Sequence, residues 1–593
     1  MTIADEPQLG AHHEAAGVRF AAWSDRATQI SVVLYDEPDT PGREVALSRT
    51  ASAQVFAAFV PDLQPGALYN FRVDGSIAVD PYARALPFGV HGPAQVVPHL
   101  LARVHPSRPI QFDGREVFYE LHVGAFTPEG TFASAAERLS ELRELGVTTL
   151  ELMPITAFPG ARGWGYDGVG LFAPFAGYGS RDQLSAFIDA AHSQGLSVVL
   201  DVVYNHLGPD GNALPTFSES YFAADRQTPW GAAPALEKPA FRRLILDNAD
   251  YWLNTLGFDG LRLDATHELE PGGQPHILSE LAQQVHARSA DAVLIAEDNR
   301  NDPQLLLGRG IDAVWSDDFH HSVHVLLTHE RDGYYAAYRS DLADLARIIE
   351  HGQLNEHPAS LEPAGRVPLG RRLFALQNHD QIGNRAFGER LHELSGLPLF
   401  HAASLLLLFL PPTPLLFMGQ EWAASSPFLY FSHHRGALGH AVSQGRRREF
   451  QHFSRFRELD PERIPDPQAQ ATFQASKLDW TERHATAHAS TLELYRRALE
   501  LRRTDAVLSQ PSTISAGSGA GLLWVLRRTR SAQRLLIFNP HAAQAPTEVA
   551  GYRASQARPL LSSHTLHVGA DSFQLAASST TIFSLSEDAG RPS

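Results

Sequence analysis

The chain has 593 residues, 44% of them hydrophobic and 19% charged, with a formal net charge of −17 at pH 7, the balance of a soluble globular protein long enough for several domains. That acidic excess argues against nucleic acid as a partner, because a polyanion calls for clustered Lys and Arg. Cysteine is absent, which excludes disulfides, thiolate metal sites, cysteine nucleophiles and iron–sulfur clusters.

The first ten residues, MTIADEPQLG, are acidic and lack the basic and apolar regions of a signal peptide, so a cytoplasmic location is expected. From about Gly17 to Asp80, stretches such as VRFAAWS, ISVVLYD and LYNFRVDG alternate apolar and polar positions between Gly and Pro. This pattern predicts an N-terminal β-sandwich, assigned here to residues 1–105.

From Val117 the grammar changes to strands alternating with amphipathic helices. VFYELHVGAF precedes a predicted helix from Ser134 to Leu145, stopped at Gly146; TTLELMPI precedes one that carries Leu184, Phe187, Ile188 and Ala191 on one face and ends at Gly195. LSVVLDVVYNH leads to a helix from near Pro239 to Gly257, and GLRLDA, VLIAED, AVWSDD, FALQNHD and TPLLFMGQE follow. Eight strands, each followed by helix or loop, predict an α/β fold of the (β/α)8 TIM barrel type over residues 106–505. The run from Leu397 to Gly419 is long enough to raise a membrane reading. Pro411, Pro412 and Pro414 break it, so a buried helix followed by a buried strand is expected, and no membrane partner. Alternation returns in GLLWVLRR, RLLIFNP and TTIFSLS, predicting a C-terminal all-β domain over 506–593 with a frayed tail, EDAGRPS.

A barrel of this kind carries its site at the C-terminal strand ends. There the sequence places Asp201 to His206 after the third strand, Arg262 and Asp264 at the fourth, Glu297 and Asp298 at the fifth, and Asn378, His379 and Asp380 at the seventh. An Arg-x-Asp pair alone reads as a structural ion pair. Several carboxylates gathered at one mouth repel one another and need a use, and glycoside hydrolysis has one: one carboxylate attacks or stabilises an oxocarbenium-like carbon while another protonates the leaving oxygen. A metal site is the competing reading of such a cluster, but the His-Glu-x-x-His spacings are missing and Arg262 beside Asp264 would repel a cation. No metal and no cofactor are therefore expected.

The stretches DVVYNH, GLRLDATH, AED and NHDQIGN, in that order, resemble the four signature motifs of the α-amylase superfamily of retaining glycosidases and transglycosidases. The resemblance implies that Asp264 is the nucleophile, Glu297 the general acid/base and Asp380 the third carboxylate. Arg262 would hold Asp264 ionised and oriented, His206 and His379 would bind hydroxyls of the reacting sugar, and Tyr166 would stack against its ring. Asp201 would brace the site; Asn205 matches a calcium ligand of some amylases, but the short loop after His206 offers few partner oxygens. Further stretches, among them GARGWGYDGVG, YNHLGPDGN and QNHDQIGNRAFGER, are most similar to the subgroup that cuts maltooligosyl trehalose next to its trehalose end. Trp230 would then be a platform for the leaving trehalose, with His267 and Glu268 reading its hydroxyls and Asp317, Asp318, His320 and His321 backing the site. The partner implied is an α-glucan oligosaccharide with a trehalose end, acted on by a monomer or weak homo-oligomer. A glucan branching enzyme or other transferase shares these residues and remains the alternative, with a non-catalytic scaffold more distant.

Overall fold

The alternating N-terminal stretches form two antiparallel sheets. One runs in the order Gly10–Glu14, Gly17–Trp23, Val55–Pro61, Ser48–Arg49, and the other Thr40–Ala46, Ile30–Glu37, Leu68–Val73, Ser76–Ala78. Their inward residues meet in an aromatic cluster: the Phe20 ring lies 5.0 Å from Tyr69 and 6.5 Å from Phe71, edge to face. The computed structural model describes residues 7–98, 100, 105–270, 272–354, 367–450, 460–564 and 572–586; the expected frayed tail and the first six residues lie outside them.

The central strands close into a parallel barrel in sequence order: β1 (Phe118–Leu121), β2 (Thr149–Leu152), β3 (Ser197–Val202), β4 (Gly260–Leu263), β5 (Val293–Glu297), β6 (Ala313–Trp315), β7 (Arg372–Ala375) and β8 (Thr413–Phe417). All eight expected strands are present. Because side chains alternate along each strand, the residues that share the inner face can be followed upward. At the bottom they are apolar: Phe118, Val199, Val293, Ala313, Leu373 and Leu415 belong to one buried cluster. Higher up they become Glu120, Asp201 and Arg262, and on β5, one step above Ile295, Glu297, with Glu151 level with Glu120 on β2. A charged floor thus lies on an apolar plug.

The helices follow local rules. Arg181–Ser193 starts at Ser180, whose hydroxyl accepts from Gln183 N while the Gln183 side chain returns to the Ser180 N–H. Pro239–Asp250 runs on into a π-helical turn, Tyr251–Leu256, closed by Gly257 at φ 87°. The single helix expected from Ser134 to Leu145 is instead two short ones, Phe132–Ala136 and Leu139–Leu145, before Gly146 at φ 111°.

The apolar run separates as its prolines dictate, into the helix Leu397–Phe409 and β8. Among the described residues no helix is long and apolar enough to cross a membrane. The last carbonyls of that helix are taken by buried arginines. Arg502 Nη1 donates to Leu408 O (3.0 Å) and Leu410 O (2.6 Å), and Arg527 Nη1 donates to Phe409 O (2.7 Å). Arg527 belongs to the C-terminal five-stranded antiparallel sheet, ordered Thr513–Gly519, Leu522–Arg528, Gln533–Asn539, Ser579–Leu585, Ala557–Ser562.

Candidate active site

Arg262 is fully buried on β4, and its guanidinium ties three strand ends together. Nη1 donates to Asp201 Oδ2 (2.7 Å) and Asp264 Oδ1 (3.0 Å), Nη2 lies 2.8 Å from Glu297 Oε2, and the group sits 4.2 Å over the Trp315 ring. Burial opposes its charge, but the Asp201, Glu297 and Asp264 carboxylates outweigh burial and keep it charged. The planar fork permits this triple engagement; a lysine ammonium could not span it.

The chain leaves β4 through Ala265, held at φ 41°, a conformation that costs a non-glycine residue about 1–2 kcal/mol. The turn aims the Ala265 N–H at Glu297 Oε2 (2.9 Å), while the Thr266 hydroxyl lies within donating distance of both Glu297 O (2.8 Å) and Asp298 Oδ2 (2.9 Å). The second oxygen of Asp264 accepts from Asn205 Nδ2 (2.7 Å), which also donates to the Asp264 carbonyl (2.9 Å). Tyr166 donates its hydroxyl to Asp201 Oδ2 (2.6 Å) and stacks on His379, centroids 5.0 Å apart. Asp380 opens a short helix, His379–Gly383, capped by Asn378, whose Oδ1 accepts from Asp380 N (2.9 Å).

Above this floor lies a cavity of about 350 Å³. Asp264, Asp380, His379, Tyr166, His206 and Trp230 all line it, beside Trp164, Tyr430 and Arg446. Glu297, held on Arg262 together with Asp264 and with its side chain 20% exposed, is not among the lining residues. His206 has both ring nitrogens at hydrogen-bond distance of protein groups, Nε2 at 2.8 Å from Tyr166 O and Nδ1 at Asn205 Oδ1; Trp230 covers its face, centroids 5.0 Å apart and planes 7° from parallel. The ring of His206 is thus held in the cavity wall by these contacts. His267 and Glu268 fall on the 3-10 turn after Ala265 and are not among the lining residues. Among the described residues no group of three or more His, Asp or Glu is arranged to hold a metal ion.

The carbohydrate-binding module 48 (isoamylase N-terminal domain) profile matches residues 8–83, and the alpha amylase catalytic domain profile matches residues 103–229. The malto-oligosyltrehalose trehalohydrolase of Deinococcus radiodurans is 44% identical over 540 residues, 88% of each chain. The chain belongs to the malto-oligosyltrehalose trehalohydrolase family. A crystal structure titled as a putative alpha amylase from Salmonella typhimurium superposes on 98% of this trehalohydrolase-family chain and 99% of its own, with TM-score 0.85 and 35% identity. A 1,4-alpha-glucan branching enzyme of Bordetella bronchiseptica is 28% identical, over 70% of this chain and 61% of its own.

In this trehalohydrolase-family site several contributors went unread in the sequence. Asn205 entered only as a possible calcium ligand, yet it grips Asp264. Glu120 and Glu151 went unnoticed inside β1 and β2, though a carboxylate in an otherwise apolar strand was a signal available there. Asp317, expected as backing, stands close to both Glu297 and Asp380: burial first, then these two carboxylates, push its carboxyl up to about 7. Asp318 accepts from Tyr338 Oη (2.6 Å) and Asn301 Nδ2 (3.0 Å), and the ring Nδ1 of His320 lies 2.8 Å from Leu376 O, so both brace the loops around the floor.

Proposed function

We propose that the chain hydrolyses the α-1,4-glucosidic bond next to the trehalose end of maltooligosyl trehalose, releasing trehalose and a maltooligosaccharide. The observation that carries this reading is the single guanidinium of Arg262 holding Asp264 and Glu297 on its two terminal nitrogens at the cavity, in a chain whose relatives are named trehalohydrolases. Two carboxylates set close suit the retaining mechanism, which needs about 5–5.5 Å between them, better than the inverting one, which leaves room for a water.

Asp264 attacks the anomeric carbon of the maltooligosyl unit while Glu297 gives its proton to the departing oxygen of trehalose. Water, deprotonated by Glu297, then opens the glycosyl–Asp264 ester, and the α configuration is retained. Asp380 across the cavity grips the reacting sugar, Tyr166 and His379 form its stacked wall, and Trp230 on His206 offers an apolar face to a ring beyond it. The separate strand orders of the terminal sheets support a three-part chain divided near 105 and 505.

Incubation with maltooligosyl trehalose and with plain maltooligosaccharides tests this reading. Preferential release of free trehalose is expected. Chain-transfer products, with new branch points and no free trehalose, would move the chain to the branching-enzyme reading, for which the Bordetella relative speaks more weakly.

A further inference from the structure

His379 is the one imidazole in the site whose two ring nitrogens face opposite environments. Toward the floor, Glu120 closes on it twice: its Oε1 meets the ring Nδ1 at 2.5 Å, and its Oε2 accepts the His379 main-chain N–H at 3.1 Å. The two oxygens of Glu120 thus engage the ring and the main chain of His379 together. Toward the cavity, Nε2 lies 3.6 Å from Asp380 Oδ1, with the Tyr166 ring stacked on the imidazole and Trp164 edge-on to it.

Level with Glu120 in the barrel register, Glu151 is 1% exposed, and neither of its oxygens has a hydrogen-bond partner among the described residues. Two carboxyls side by side in a buried floor do not both ionise readily. Burial, and then the neighbouring Glu120, hold the Glu151 carboxyl well above the usual range. Of the two floor carboxyls, Glu120 is the one directed at His379.

We propose that Glu120 is the positioning residue of this site: it fixes the ring and main chain of His379 together and keeps the imidazole doubly protonated, so that Nε2–H is always a donor to a sugar hydroxyl in the cavity. The other groups around the ring divide. Burial pulls the ring down and Arg262 opposes its charge, while Asp380 and Glu120 favour it; the two carboxylates outweigh burial and carry it up to about 10, and His122 nearby, held down to about 4 by its own burial, adds no charge in the neutral range. A neutral histidine in this place would present a donor or an acceptor depending on tautomer; the Glu120 contact removes that choice. Unlike an ordinary histidine, this one would bind hydroxyls unchanged across the neutral range.

The proposal rests on the cavity being a sugar site and is tested apart from the identity of the sugar. Histidine-selective ¹⁵N NMR on the full chain, with His379 assigned by its loss in His379→Asn, should show both ring nitrogens protonated from pH 5.5 to 8.5. In Glu120→Gln the same signal should titrate within that window, whereas Glu151→Gln should leave it doubly protonated. On whatever α-glucan the wild type cleaves, kcat/KM of Glu120→Gln relative to wild type should fall at least about tenfold between pH 5.5 and 8.5, mainly through KM. A wild-type His379 that loses a proton below pH 8 overturns the proposal even if Glu120→Gln fails to fold, and so does a Glu120→Gln ratio that is flat with pH. Failure of trehalose release alone would overturn only the substrate reading above.

Discussion

Trp230 lies flat on His206, planes 7° apart, although the two come from different excursions of the barrel: His206 follows β3 directly, and Trp230 stands at the tip of a hairpin, Phe222–Thr228 with Gly231–Pro234. An aromatic pair of this kind is worth about 0.5–1.5 kcal/mol, and here it also presents a face to the cavity. Trp230→Ala should therefore lower kcat/KM by up to about tenfold, through KM, and change the preference between maltooligosyl trehalose and plain maltooligosaccharides. Steady-state kinetics on both substrates check it; an unchanged ratio between them would confine Trp230 to pinning its hairpin.

Asn205 gives Asp264 its only side-chain hydrogen bond besides that from Arg262 among the described residues. A hydrogen bond to a charged group is worth about 1.5–3 kcal/mol. Asn205→Ala should reduce kcat by about ten- to a hundredfold with little change in thermal midpoint, while Asp264→Asn should reduce it by at least about 10³-fold with ligand binding retained. Calorimetric titration of a maltooligosaccharide against each variant separates loss of turnover from loss of binding.

Replacing Arg262 by lysine keeps a charge but leaves at least one of Asp201, Asp264 and Glu297 without its partner. Breaking a buried pair in this way costs about 3–5 kcal/mol. Arg262→Lys should lose stability on that scale in urea unfolding and lose most activity. A variant with full stability but no activity would mean that the lysine satisfies the floor and fails only at the reacting carboxylates.

Below the loop that carries Trp164 and Tyr166, His122 is buried with Nε2 at 2.9 Å from Gly163 O. Burial lowers its pKa from about 6.5 to about 4. A group depressed on folding contributes stability that is present above its unfolded pKa and lost as pH falls toward the folded one. Between pH 6.5 and 4 this residue alone should remove on the order of 3 kcal/mol. In His122→Gln, the dependence of unfolding free energy on pH should be shallower over that interval, as measured by denaturant titration at several pH values.

The barrel was legible because each strand ends where a period of two gives way to a helical period, and because Pro411, Pro412 and Pro414 cut the one ambiguous apolar run. The carboxylates proposed to react were legible for a related reason: Asp264, Glu297 and Asp380 follow apolar runs where strand ends are expected. Glu120 and Glu151 were not, since in VFYELH and TTLELM a single carboxylate reads as facing out, and only closure of the barrel buries both faces of the strand. His267 and Glu268 were named from adjacency alone. They follow Asp264 in the chain, but the left-handed turn at Ala265 comes between, and neither borders the cavity. Trp230 lay in FAADRQTPWGAAP, whose hairpin pairs with an irregular register and so carries no clean alternation.

The arginines that cap the helix Leu397–Phe409 bear on how the cylinder is shut. That helix leads straight into β8, the stave that meets β1 and completes the ring, and one of its capping guanidiniums, on Arg527, is supplied from the C-terminal sheet. The terminal sheet is thus a buckle over the join, not a detachable appendage. Cutting the chain after residue 505 would strip the Phe409 carbonyl of its donor and loosen the join from outside, beside the stave that carries Glu120 and therefore the grip on His379.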